Sequence, residues 1–532
     1  MQRTLWRILA LLAALSLGWA AVPALAGLKA EAGPGRDQVF RAIYSEEPRS
    51  LDPQDEPDPA AWPVIMPAYD RLMVFEPGTA KPVVNQEVLQ AARVAPNGLN
   101  YIFALREGRT FSDGLALNSE AALYSFDRLM STPTGRRLFP HLHRLEIMSP
   151  NTFRLILRRP WPPFLASLAL PQASLISPGL KDRPGDYLKK NTLGSGQYTL
   201  YDWRDHTIGL MSRPELMNKP RLAFAMFHYE PEPGARWKKM IAHEAHLTES
   251  PALPADPGEL PPRYSLKKAP TYEVRYLAFN TGRSYVRMRN IRRAISFVTA
   301  ELFKDKPGRL AGFFPAGLFY NAPGRAANDE YDRLEEGARI LKEVGPPLTP
   351  LTLAFPADDP GLAGDAAAIR DALSPHGLPL SLTPLTGSAG RRIIEEGDYD
   401  LLLGTASPEI PAPDLWLGRF LDSTASVDGN PARFKNSRAD QLIAEIAGAV
   451  GNEGDGPGEL RLLEMDRAAK LAELAEIAAL EAPYAFLYSL EKDLALDERL
   501  VGITLNPMWP TVWPLAASNL APPVSNSENM AP

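Results

Sequence analysis

Apolar positions recur along this chain at two different spacings, and the spacings predict different elements. Alternation with period two at Tyr101-Phe103-Leu105, Phe153-Leu155-Leu157 and Tyr272-Val274-Tyr276 predicts half-buried strands of mixed or antiparallel sheets. Spacings of three and four predict helices through Leu442, Ile446 and Val450 and through Leu460, Leu463, Leu471, Leu474 and Ile477, with the Gly451 to Gly458 stretch between them. The stretch from Leu351 to Leu403 says most about architecture. Leu351-Leu353-Phe355 reads as a strand, Asp365 to Leu373 as a helix, Leu378-Leu380-Leu382 as a strand, Arg391 to Glu396 as a short helix and Leu401-Leu402-Leu403 as a buried strand. This βαβαβ order requires a parallel sheet. Ligands of open parallel sheets sit beyond the carboxyl ends of the strands, so the loop from Gly404 to Pro413 should face a crevice. That loop holds one charged residue, Glu409.

Punctuation agrees with a large mixed α/β chain, since 53 prolines and 38 glycines cut it into short segments and no fixed repeat is visible. Asn97-Gly98 and Asp113-Gly114 are turn dipeptides that tolerate positive φ, and Asn118 is a good N-cap for a helix carrying Ser125 to Leu129.

The two ends read differently from the middle. Arg3 and Arg7 precede or open an apolar run from Ile8 to Ala21, and Ala24-Leu25-Ala26 supplies a small-x-small cleavage pattern, so residues 1–26 read as a secretion signal. The run is short for a membrane span and lacks a charged stop-transfer flank. After Ala521 the chain is rich in Pro, Ser and Asn, and disorder is expected there.

Composition narrows the chemistry. With 532 residues and 45% hydrophobic positions there is material for more than one core, hence for two or three domains. The absence of cysteine excludes disulfides, thiolate metal sites, a cysteine nucleophile and a lipid anchor on cysteine. Fifty-seven Lys and Arg against 63 Asp and Glu give a net charge of −6, which becomes −8 without the signal, and no basic block is present. Nucleic acid is not an expected partner. No G-x-S-x-G elbow, P-loop or dinucleotide fingerprint occurs. His141 and His143, and His243 and His246, share faces in extended and helical backbone respectively, but His243-Glu244-Ala245-His246 is one residue short of a zincin motif. No metal or cofactor is expected. Glu395-Glu396 and Asp358-Asp359 read as solvated charged runs.

The segments in order resemble the large dipeptide/oligopeptide-binding family, family 5, of the extracytoplasmic solute-binding proteins of ATP-driven importers. The resemblance spans nearly the whole chain after the signal. It is carried by Tyr69-Asp70-Arg71-Leu72, Ala95 to Tyr101 with Leu105-Arg106-Glu107-Gly108, Phe111-Ser112-Asp113-Gly114 and Ser125 to Leu129. Pro163-Phe164-Leu165, Gly194-Ser195-Gly196-Gln197-Tyr198, Leu277 to Thr281 and Ile291 to Ile295 follow, then Gly397-Asp398-Tyr399-Asp400, Pro413-Asp414, Asn436 with Asp440, and Ala482-Pro483 with Leu487-Tyr488.

The resemblance implies a two-lobed, type II periplasmic-binding-protein-like clamshell with a subdomain inserted in the first lobe. The first lobe would take 27–64, 190–272 and 486–532, the inserted subdomain 65–189, and the second lobe 273–485. It implies a monomer that captures a peptide-like ligand between lobes and passes it to the permease subunits of the importer, without catalysis. In peptide-binding members an aspartate after the equivalent of Asp400 pairs with the ligand's α-ammonium group, and alignment on Pro413-Asp414 puts Glu409 there. Trp416, Trp62 and Trp203 are the candidate aromatic walls, because large aromatics give apolar contact to varied side chains. Trp416 and Phe420 are in helical register, so packing into the second lobe is the competing reading. Ala92, His246 and Thr405-Ala406 depart from the family's usual residues, and the segment between Thr299 and Pro315 is shorter than usual. These departures fall at expected pocket positions, which keeps a metal chelate or an oligosaccharide open as ligand, and a sensor or scaffold role open as function; a hydrolase stands last.

Overall fold

A ten-stranded sheet forms the spine of the molecule, in the order Leu380–Leu385, Leu351–Pro356, Leu401–Ala406, Tyr264–Phe279, Tyr484–Asp497, Leu247–Glu249, Val39–Tyr44, Phe224–Tyr229, Thr207–Ser212 and Tyr198–Arg204. The computed structural model describes residues 39–56, 58–213, 222–249, 263–310, 312–315, 318, 333–449, 457–501, 504–515 and 519–520. The signal expected at 1–26, the tail after Ala521, Val450 and most of the Gly451 to Gly458 stretch lie outside them.

The βαβαβ reading holds. Leu351–Pro356 pairs in parallel with both Leu380–Leu385 and Leu401–Ala406. The two helices between start earlier than the apolar spacing indicated, at Pro360 and Gly387. At the first of these, Asp359 accepts from the Gly361 and Leu362 amides and Pro360 holds the first helical position, so the cap and not the apolar stripe sets the boundary. Asp359 is therefore a cap rather than part of a solvated run, whereas Glu395 and Glu396 pair with Arg391 and Arg392 on an exposed face, as expected. Pro384 cannot donate to a ladder, and its strand is the edge of the sheet. Successive residues of Leu401–Ala406 point into different cores: Leu401 and Leu403 pack with Leu277, Leu353 and Ile369, and Leu402 packs with Tyr276, Trp416 and Phe420. The sheet is buried on both faces here, so from Val274 to Phe279 the strand is covered on both sides rather than half-buried, with Glu273 before it still partly open.

In the first lobe one continuous core joins the other half of the large sheet to a separate four-stranded antiparallel sheet, Leu89–Val94, Asn100–Leu105, Thr152–Leu157 and Leu142–Ser149. The helix Ser119–Ser131 covers it, and Asn118 caps that helix by accepting from the Ala121 amide, as expected. The sequence motifs are scaffold. Asp70 pairs with Arg109 and accepts from Ser195 Oγ at 2.9 Å, and Ser177 Oγ donates to Asp113 at 2.6 Å.

Two strands run through both lobes. Tyr264–Phe279 and Tyr484–Asp497 pair antiparallel, but the ladder breaks between Pro270 and Val274. Within the break, Thr271 Oγ1 donates to the Leu490 carbonyl at 2.8 Å and Tyr272 N donates to the Pro507 carbonyl at 3.3 Å.

His246 lies in the first-lobe core, 5% exposed, and its Nδ1 accepts from the Arg41 amide at 3.0 Å. Burial, helped by the charges of Arg41 and Arg263, pushes its pKa down to about 3. An unfolded histidine takes up a proton near pH 6.5 while this one does not, so stability is retained above that pH and falls as pH drops toward 3. We predict that the unfolding free energy obtained from urea titrations declines between pH 6.5 and 4 with a slope approaching about 1.4 kcal/mol per pH unit for this proton. His246→Asn, which keeps an acceptor for the Arg41 amide, should remove that component; an unchanged pH slope would contradict the assignment.

Candidate ligand-binding cleft

The strand Leu401–Ala406 ends at the boundary between lobes, and the chain beyond it, Ser407, Pro408 and Glu409, forms one side of a cleft of about 560 Å³. Ile410 and Ala412 then pack into the first-lobe core, so this loop crosses to the opposite lobe. The cleft lies where the sheet argument placed it.

Its other walls come from distant parts of the chain. The end of the strand Val39–Tyr44 and the residues after it bring Tyr44, Ser45 and Glu46; the short helix Trp62–Ala68 brings Trp62 and Pro63. Leu170 to Gln172, Glu249 and the ladder break Thr271 to Glu273 close further sides, with Lys492 from the partner crossing strand and Pro507 to Thr511 from the C-terminal segment. Trp62 is 8% and Trp509 7% exposed, and Trp509 stacks on Phe75 with centroids 5.3 Å apart. These rings are held by packing and present fixed apolar faces to the cleft.

Polar groups are placed among them. Ser45 donates to Glu249 Oε1 through its amide at 2.9 Å and its hydroxyl at 2.6 Å. Tyr44 donates to the Thr511 carbonyl at 2.9 Å; burial and the charge of Glu249 hold its hydroxyl well above the ordinary tyrosine pKa, so it stays a donor. Gln172 is 4% exposed and its side-chain amide has no hydrogen-bond partner among the described residues. Glu409 pairs with Arg137, on the helix Pro133–Leu138 of the first lobe, and each side chain is about half exposed.

Of the four residues expected from sequence, the structure brings two together, Glu409 and Trp62. The other two are corrected. Trp416 is 2% exposed on the helix Pro413–Leu421, donates its indole N–H to the Phe313 carbonyl at 2.7 Å and packs on Phe420 and Phe486. Its helical register with Phe420 turns both rings into the second-lobe core. Trp203 packs at the edge of the first-lobe core, donates to Glu47 at 2.7 Å and lies under the Lys190 ammonium. Neither is among the described cleft residues. The departures from the family pattern are not pocket positions either: Ala92 is exposed on a strand, His246 is in the core, and Thr405 accepts from the Arg275 guanidinium. His243 and His246 do not converge, and no group of metal-ligating side chains occurs among the described residues. Sequence reasoning missed Gln172, Glu249, Glu273 and the C-terminal wall; the dense run Pro507-Met508-Trp509-Pro510 was the available signal.

The family model for bacterial extracellular solute-binding proteins, family 5, middle region, matches residues 76–428. This chain belongs to that family. A relative in Escherichia coli (strain K12), the "Probable D,D-dipeptide-binding periplasmic protein DdpA", is 25% identical over 483 residues, covering 87% of this chain and 90% of the relative. The "Di/tripeptide-binding protein 2" of Pseudomonas aeruginosa (strain UCBPP-PA14) is 25% identical over 420 residues, covering 71% of this chain and 77% of the relative. Among solved structures, HbpA2 of Haemophilus parasuis superimposes with a TM-score of 0.78 at 18% identity, covering 91% of this chain and all of that one. The fold is the two-lobed type II arrangement of this solute-binding family, and the family is one of binding proteins. No helix among the described residues is long and apolar enough to cross a membrane.

Proposed function

We propose that this protein captures a short peptide between its lobes in the periplasm and delivers it to the permease subunits of an ATP-driven importer, acting as a monomer after its signal is removed. The observation that carries this reading is the inter-lobe cleft itself, whose volume falls in the range of about 300–1,000 Å³ usual for small-ligand sites. Relatives named for dipeptides and tripeptides support the ligand class. In this reading the lobes divide as 27–64, 190–272 and 486–532 against 273–485, with 65–189 inserted in the first. The ladder break at Pro270 to Val274 supports a hinge in the crossing strands, since a segment with few ladder bonds absorbs rotation at small cost.

Glu409 anchors the ligand's ammonium group and Trp62 packs against its side chains. The anchor is already occupied by Arg137, so a peptide ammonium exchanges with the guanidinium rather than meeting a bare carboxylate. A thermal-shift screen of short peptides identifies binders, because a ligand of the native state raises the midpoint by mass action. For such a binder, Glu409→Gln should weaken the free-amine form by roughly tenfold and leave its N-acetylated form unaffected, measured by titration calorimetry. Equal losses for both forms remove Glu409 from the anchor role. No shift with any peptide would count against the ligand class.

A further inference from the structure

Four carboxylates line the cleft, Glu46, Glu249, Glu273 and Glu409, against one ammonium, Lys492. Among the described residues, ion pairing compensates only Glu409, through Arg137. The Glu249 carboxylate is held by the neutral donors of Ser45, and the buried Arg236 guanidinium donates to the Glu249 main-chain carbonyl at 3.1 Å. Glu46, Glu273 and Lys492 make no ion pair among the described residues. A concave site with fixed rings and an excess of one charge focuses its field on the ligand, where screening by water is weaker than on an open surface. The same cleft is lined by Gln172, a residue 4% exposed whose side-chain amide has no protein partner among the described residues. That amide meets only the solvent of the cleft, so a peptide group can take the water's place as its partner.

We propose that the cleft selects polycationic peptides, whose amino terminus meets Glu409 and whose lysine or arginine side chains meet Glu46, Glu249 and Glu273 while Gln172 takes a peptide amide. A long basic side chain also suits the rings of Trp62 and Trp509, over which its cation and methylenes can lie. This inference rests on the peptide reading above.

Titration calorimetry with Lys-Ala-Lys, Ala-Ala-Ala, Glu-Ala-Glu and spermidine tests the two separately. Lys-Ala-Lys should bind at least about tenfold more tightly than Ala-Ala-Ala, with Glu-Ala-Glu weaker still and the difference shrinking as salt is raised. Glu273→Gln should lower the affinity for Lys-Ala-Lys more than that for Ala-Ala-Ala. Equal affinities for the three tripeptides would overturn the charge selection and leave the peptide reading standing. Spermidine binding without any tripeptide would keep the charge selection and overturn the peptide reading, and absence of all four would overturn both.

Discussion

Arg275→Ala should destabilise the second lobe by about 3 kcal/mol, because it leaves the buried Asp365 carboxylate, 10% exposed, without its counter-charge, while the partly exposed Asp359 adds little. The Arg275 side chain is 5% exposed; it pairs with Asp359 at 2.7 Å and lies 3.7 Å from Asp365, and it donates to Thr405 Oγ1. Asp365 also accepts the Tyr488 hydroxyl, so one guanidinium ties together both crossing strands, the strand Leu401–Ala406 and the start of the helix Pro360–Leu373. Its loss would release the N-cap aspartate and the carboxyl end of the parallel sheet, the two features that hold the Ser407–Glu409 side of the cleft. Urea unfolding followed by hydrogen exchange in 351–356 and 401–406 reads the lobe directly. A change below about 1 kcal/mol would mean that this pair contributes no more than an exposed one.

Gly196→Ala should have a comparable effect on the first lobe, and it should also reach the ligand. A Cβ at Gly196 would lie 2.4 Å from the Pro67 carbonyl oxygen and 2.6 Å from the Ala68 carbonyl carbon, both of them backbone. The Gly196 amide donates to the Ala68 carbonyl at 3.1 Å, so the strand entry and the helix Trp62–Ala68 cannot separate without breaking that bond. Overpacking against backbone costs about 3 kcal/mol or more, which outweighs the gain of less than about 1 kcal/mol from a stiffer unfolded chain. Because the displaced helix carries Trp62, peptide affinity should fall together with the melting temperature. Gly185→Ala, where a Cβ would meet nothing within 4 Å, serves as the control and should change neither. A Gly196→Ala protein that melts like the parent would refute the close approach.

How far the sequence could be read depended on whether the cause of a feature was local. The parallel segment was legible because strand and helix periodicity alternate within Leu351 to Leu403, and its topology then located the Glu409 loop at a crevice without knowledge of the rest of the chain. Asn118 was legible as a cap for the same reason. The role of Asp359 was missed because a cap three residues before the first apolar position, Leu362, looks like any charged pair. Trp416 was ambiguous because helical register says that Trp416 and Phe420 share a face but not which way the face points. The remaining walls are long-range. Glu249, Glu273, Lys492 and Trp509 meet only because two strands cross both lobes and the C-terminal segment returns beside the ladder break. The family motifs were visible because they build clamps such as Asp70–Arg109–Ser195 that hold the scaffold of this chain together, and for that reason they report the fold and not the ligand.

Hydrogen exchange with and without a saturating tripeptide from the thermal-shift screen tests most directly that the inter-lobe cleft is the binding site. Protection should appear in peptides covering Leu170 to Gln172, Thr271 to Glu273, Ser407 to Glu409 and Met508 to Thr511, segments far apart in sequence that meet only around the cleft. Protection confined to other surfaces, with these four segments exchanging as in the free protein, would contradict the account.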